Sequence, residues 1–199
     1  MTAQIRSDAE SSTEQKGRCL LLDPRGGAGW KCQNEERVLT PARCLERVGE
    51  GDVRAVAIVF GSGSDARRAT LLEFVSILKH NAKTGDLTVV AVVPTRHRLL
   101  LEALKREGAD FVFIFPEDTA NSFCVGDILG GLTTKNRPEH ILKEICPNLN
   151  YSAIDSCREI SLCGAYRNRM VLGGSRLHTI CETTEYFGCE YYLNPRPSA

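Results

Sequence analysis

Val53-Arg-Ala-Val-Ala-Ile-Val-Phe60, closed by Gly61-Ser62-Gly63-Ser64-Asp65, decides the fold. An almost unbroken apolar run of this length reads as a strand covered on both faces, which is the habit of parallel sheets. The Gly/Ser loop breaks the strand and opens a long helix to about Asn81. Leu71, Phe74, Val75 and Leu78 recur on one face of that helix at three- and four-residue spacing. Downstream the pattern repeats. Leu87 to Pro94 is a second buried strand, and Thr95 is placed to cap a helix through Arg106 with Leu100, Ala103 and Leu104 facing inward. Gly108 stops that helix, and Asp110 to Phe115 is a last strand. Upstream, Arg18 to Asp23 reads as the first strand and Trp30 to Val38 as a second, partly exposed one, with a β-hairpin between them. Thr40-Pro41 starts a short helix, since a hydroxyl at the N-cap and proline at the first helical position both suit a helix N-terminus. Alternating strands and helices predict an α/β fold with a parallel sheet flanked by helices.

The bulk numbers narrow the function classes. The 199 residues are 42% apolar and 25% charged, enough for one good core and an appendage. Lys and Arg balance Asp and Glu at 25 each, so no global field draws nucleic acid or anionic lipid. Nucleic-acid binding is therefore not favoured. Met1 to Gly17 is rich in Ser, Thr, Gln and acidic residues and reads as a disordered leader rather than a secretory signal. No apolar run approaches the ~20 residues that span a bilayer, which points to a cytoplasmic protein without a membrane segment. In that compartment the nine cysteines are expected as thiols or metal thiolates, and their odd number suits a fully paired disulfide framework poorly.

The stretch Leu87-Thr-Val-Val-Ala-Val-Val-Pro94, with the following helix ending Ala103-Leu-Lys-Arg-Glu-Gly-Ala-Asp-Phe-Val-Phe-Ile114, resembles the end of a response-regulator receiver domain. The resemblance spans roughly residues 18–118 and implies a five-stranded flavodoxin-like sheet whose carboxyl edge meets partners. The family's phosphorylation chemistry does not carry over. Its phospho-accepting aspartate falls at Phe60-Gly61-Ser62, its switch hydroxyl at Pro94 and its lysine at Phe115. Only Asp23 sits where an acidic Mg²⁺ ligand is expected, and one carboxylate does not make an octahedral oxygen site. The Gly61–Asp65 loop has two readings, an anion cradle at a helix N-terminus or a plain strand-to-helix turn. Without a Gly-Lys-Ser/Thr ending the turn is the simpler.

The expected organisation is a leader (1–17), a receiver-like α/β domain (18–118), a linker (119–137) and a small cysteine-rich C-terminal module (138–199). The last part carries the strongest chemical signal. Cys146, Cys163, Cys181 and Cys189, separated by 16, 17 and 7 residues, stand beside turn features such as Pro147, Gly164 and Gly188. Several thiolates must converge to bind a soft metal. Zinc modules bring cysteines in close pairs on knuckles, and none occurs here. The wide spacing and the Cys146-Pro147 context favour a [4Fe–4S] iron–sulfur cluster, with zinc as the alternative and burial of non-ligand thiols as the bland reading. Cys157 and His178 are reserve ligands. Cys19 and Cys44, in a strand and a helix, read as core residues. Arg167, Arg169 and Arg176 are candidates to neutralise a negatively charged centre, and Phe187, Tyr191 and Tyr192 to roof it.

No catalytic set is legible. The expectation is a non-enzymatic signalling or redox-sensing module, in which the receiver-like domain docks a protein partner and the cysteines hold the cluster. A homodimer through that domain fits the same reading. The alternatives are an electron-transfer subunit of a redox enzyme and a zinc-stabilised interaction adaptor.

Overall fold

The computed structural model describes residues 18–26, 35–61, 65–115, 124–155 and 158–196. The expected leader, the centre of the Gly61–Asp65 loop, Cys32 and Cys157 lie outside the described residues.

Five strands, β1 (Arg18–Leu22), β2 (Glu35–Val38), β3 (Val53–Val59), β4 (Thr88–Val93) and β5 (Phe111–Ile114), form one sheet in the order β2-β1-β3-β4-β5. Every neighbouring pair is parallel. This order, with its switch between β1 and β3, is that of flavodoxin-like doubly wound sheets. One expectation fails: β1 and β2 do not form a hairpin. They pair in parallel, Cys19 opposite Glu35 through Leu22 opposite Val38.

Three helices cover one face. α1 (Pro41–Gly49) begins as expected, with the Thr40 side chain accepting from Arg43 N at 3.3 Å. α2 (Asp65–His80) buries Leu71, Phe74, Val75 and Leu78. α3 (Arg98–Arg106) buries Leu100, Leu101 and Leu104. Its N-cap is His97 rather than Thr95, because the imidazole Nδ1 accepts from Leu100 N at 3.1 Å. Gly108, at φ +89°, makes the left-handed reversal into β5 that a side chain would strain. At the far end of α2, Lys79 donates to Gly85 O (2.8 Å), Leu87 O (3.0 Å) and both Asp110 oxygens, while Asp110 also accepts from Val89 N. One ammonium thus pins α2 to the starts of β4 and β5.

The other face is smaller. Cys19, Leu21, Ala55, Ala57, Val59, Val90 and Val92 pack against Val125 and Ile128 of α4 (Val125–Gly131). That helix falls within the span read as a linker, and it lies on the sheet, in contact with β1.

After a 3₁₀ turn (Thr134–Asn136), α5 (Pro138–Lys143) packs on α3. A second, antiparallel sheet follows, which the sequence reading did not foresee: β6 (Leu149–Ala153), β7 (Glu159–Cys163) and β8 (Met170–Val171). The chain ends in α6 (Gly174–Arg176), a π-helical turn (Leu177–Cys181), a 3₁₀ turn (Thr184–Gly188) and α7 (Glu190–Leu193). This region has no separate core. One buried cluster runs without a break from Leu20, Ile58 and Leu101 to Ile145, Cys146, Leu149, Cys163, Cys181 and Tyr186. Among the described residues, no helix is long and apolar enough to cross a membrane.

Candidate metal centre

Four short segments deliver the four expected cysteines. Cys146 follows α5, and its N–H donates to Cys181 O at 2.7 Å, tying two of the segments together directly. Cys163 ends β7 opposite Leu149, three residues after Cys146. Cys181 closes the π-helical turn, whose wider hydrogen bond from Glu182 N to Leu177 O (2.9 Å) re-aims the last side chain. Cys189 is the N-cap of α7. The first three are buried and the fourth is half-buried.

Their chemistry shows that they are neighbours. Burial, first, pushes the Cys181 thiol up to about 12, and proximity to Cys146, Cys163 and Cys189 pushes it the same way. Cys146 is raised by burial and then by Cys163 and Cys189, against the Asn148 N–H and Arg98. Cys146 and Cys181 thus resist ionisation, because burial disfavours the thiolate and other sulfurs lie nearby. Cys189 differs. Burial pushes it up, but the N–H groups of Tyr192 and Tyr191 and the Arg176 guanidinium outweigh this and hold it below the ordinary thiol value. Among the described residues, no three His, Cys, Asp or Glu side chains already stand in ligand geometry.

The turn after Cys163 is held tightly. Arg167 and Asn168 both adopt positive φ (57° and 55°), and Gly164, directly after Cys163, donates to Asn148 O at 2.7 Å. A Cβ on Gly164 would come within 2.9 Å of that same carbonyl and 2.6 Å of Asn150 Nδ2. A backbone atom cannot swing aside, so Gly164→Ala should push the Cys163 turn away from Asn148 and cost about 1–3 kcal/mol. Chemical denaturation of the variant checks this; an unchanged midpoint would mean that the turn is free to move.

Other expectations fall differently. His178 is largely exposed and pairs with Glu182 at 2.8 Å. Cys19 and Cys44 are buried in β1 and α1 as read, and burial pushes Cys44 up to about 12. Cys124 corrects the all-thiol expectation: it is disulfide-bonded, whereas Cys19, Cys44, Cys146, Cys163, Cys181 and Cys189 are free. The thiol expectation was inferred from compartment, and compartment is not written in these residues. Asp23 is fully buried, with Arg37 Nη2 at 2.6 Å and Arg25 N at 3.0 Å on its carboxylate. The aromatic cover is led by Tyr186, which donates to Lys143 O at 3.1 Å and packs against Tyr192. Phe187, expected as part of the roof, is 54% exposed.

Of the three arginines expected at the centre, Arg167 and Arg169 point to solvent. Arg176 lies over Tyr191 (5.1 Å) and donates to Cys189 Sγ at 3.7 Å. The sequence reading missed Arg96, His97 and Arg98, which reach the cysteine segments from the end of β4. His97 stacks on Tyr151 (3.9 Å between rings) and stands beside Glu159. A polar Arg-His-Arg run directly after a buried strand was the available signal.

No protein-family model matches this chain, and no curated protein matches it at a significant level. The case for function rests on geometry and chemistry.

Proposed function

We propose that Cys146, Cys163, Cys181 and Cys189 are the ligands of a [4Fe–4S] cluster in a non-catalytic, redox-responsive signalling module whose receiver-like α/β domain docks a protein partner. One observation carries the reading: Cys146, Cys163 and Cys181, from segments far apart in sequence, lie in one buried cluster with the Cys146 N–H on Cys181 O, and Cys189 lies near enough to raise Cys146 and Cys181. Left as thiols, the arrangement gains nothing through charge at Cys146 and Cys181, which their neighbours raise. A bound cation reverses that sign and deprotonates them. Iron is favoured over zinc by the spacing, which lacks paired knuckles, and by the neighbouring donors. The N–H groups of Tyr191 and Tyr192 and the Arg176 guanidinium face a sulfur, and hydrogen bonds to sulfur are among the groups that tune cluster potential.

Anaerobic purification followed by metal and sulfide analysis tests this. The expected result is a brown protein with about four iron and four sulfide per chain. One zinc and no sulfide would replace the cluster by a structural ion and support the adaptor reading. Absence of both, after reconstitution with iron and sulfide under reducing conditions, would remove the metal centre altogether.

A further inference from the structure

The loop that leaves β4 holds two cysteine segments at once. Arg98 Nη1 donates to Ile145 O (3.3 Å) and Cys146 O (3.2 Å), while its Nη2 is fixed by Glu102 at 2.8 Å and its side chain is only 19% exposed. Arg96 Nη1 donates to Glu182 O (3.2 Å), the carbonyl just after Cys181, and is fixed by Glu144 at 2.9 Å. Between them His97 caps α3 and packs on Tyr151, whose hydroxyl accepts from Arg98 N at 3.0 Å. Cys146 N donates to Cys181 O, so the two gripped segments are also joined to each other.

We infer that Arg96 and Arg98 are positioning residues of the cysteine centre. They anchor the Cys146 and Cys181 segments to the carboxyl edge of the parallel sheet and set fixed positive charge beside the centre. The inference rests on the reading of the four thiols as metal ligands. Its physical grounds are distinct, however. A guanidinium presents several donors in a rigid plane, so Arg98 holds both carbonyls through Nη1 while Nη2 stays on Glu102, which the point charge of lysine does not do as well. Charge-assisted bonds to carbonyls are stronger than neutral ones, and groups around a metal's ligands orient those ligands and alter the centre's affinity. The arrangement has a functional consequence. Loading or losing the centre pulls on the start of α3 through two side chains, so the sheet edge senses the state of the cysteines.

The test uses the full chain loaded anaerobically, with Arg98→Gln, Arg98→Lys and Arg96→Gln, and with Arg106→Gln as control because Arg106 is well exposed at the other end of α3. Loss of metal to a chelator is expected to accelerate about ten- to a hundredfold in Arg98→Gln and Arg96→Gln. The midpoint potential should move negative in Arg98→Gln, since a nearby positive charge favours the reduced, more negative cluster. Arg98→Lys should restore the potential but not the retention, which a merely structural role would not produce. Should Arg98→Gln fail to fold, Arg98→Lys and Arg96→Gln carry the same comparison. If the centre proves to hold zinc, the retention readout alone decides. Full metal in the wild type with unchanged retention in both glutamine variants would overturn the positioning role and leave the centre standing. A wild type that takes up neither iron nor zinc would fail the centre itself, and this inference with it.

Discussion

Cys181→Ser is expected to abolish iron incorporation and to raise the protease sensitivity of residues 146–193 together with that of the sheet whose core they share. Cys181 is the best-connected of the four: its thiol senses the other three, and its carbonyl takes the Cys146 N–H. If the four cysteines are ligands as proposed, removing one would leave three thiolates around an under-coordinated centre. Binding energy at thiolate-rich structural sites is worth about 10–16 kcal/mol in small zinc peptides, and there it is also folding energy. Binding energy of that kind would add to the packing of Ile145, Leu149, Leu172 and Tyr186, whereas local structure adds little, because β8 is two residues long and α6 and α7 are three and four. Isolated helices that short have no stability of their own. Cys44→Ala is the matched control. Cys44 is equally buried, in α1 against the sheet, and its loss should cost about 1 kcal/mol of packing without touching iron content. Iron per chain and limited proteolysis of both variants decide the matter. Cys181→Ser protein that keeps its full iron would show that Cys181 is a packing residue and that the ligand set is wrong.

The contrast between these two cysteines also shows what could be read without coordinates. Local signals were enough where structure is local. The run Val53–Phe60 became β3 because only a doubly covered strand tolerates it, and the 3.6-residue spacing of Leu71, Phe74, Val75 and Leu78 became α2 with those side chains inside. Gly108 ended α3 because its φ is positive. The four candidate cysteines stand beside turns in the sequence, and three of them, Cys146, Cys163 and Cys181, lie in one buried cluster.

Non-local features were opaque. Glu35–Val38 lies within the stretch read as a second strand, but its parallel pairing with β1 and the ion pair of Glu36 with Arg47 of α1 were not legible. In β6 and β7, Leu149, Tyr151 and Cys163 face the core while Asn150, Ser152, Ile160 and Leu162 share the opposite face. The alternation there mixes polar and apolar residues on one side, which hid both strands. Arg98 was missed for a similar reason. Its partners are the carbonyls of Ile145 and Cys146, 47 and 48 residues away, and a backbone acceptor leaves no mark in sequence.

Leu101→Ala is expected to cost about 2–5 kcal/mol of stability, because it empties a site that is wholly closed to solvent. Leu101 stands one turn into α3, and its N–H donates to His97 O at 3.0 Å. The helix thus meets the sheet through Leu100, Leu101 and Leu104, and its first turn holds the cysteine segments through Arg98. If both halves belong to one cooperative core, the cavity lowers the stability of both, and metal release should accelerate in step with global unfolding. Leu99→Ala supplies the comparison on the same helix, since Leu99 is 51% exposed and should cost less than about 0.5 kcal/mol. Urea unfolding followed in parallel by far-ultraviolet dichroism and by cluster absorbance gives the answer. Coincident transitions, shifted together by Leu101→Ala, are the expected result. Cluster loss at a urea concentration unaffected by the mutation would mean that the cysteine segments open independently of the sheet, and that the continuous packing between them transmits little.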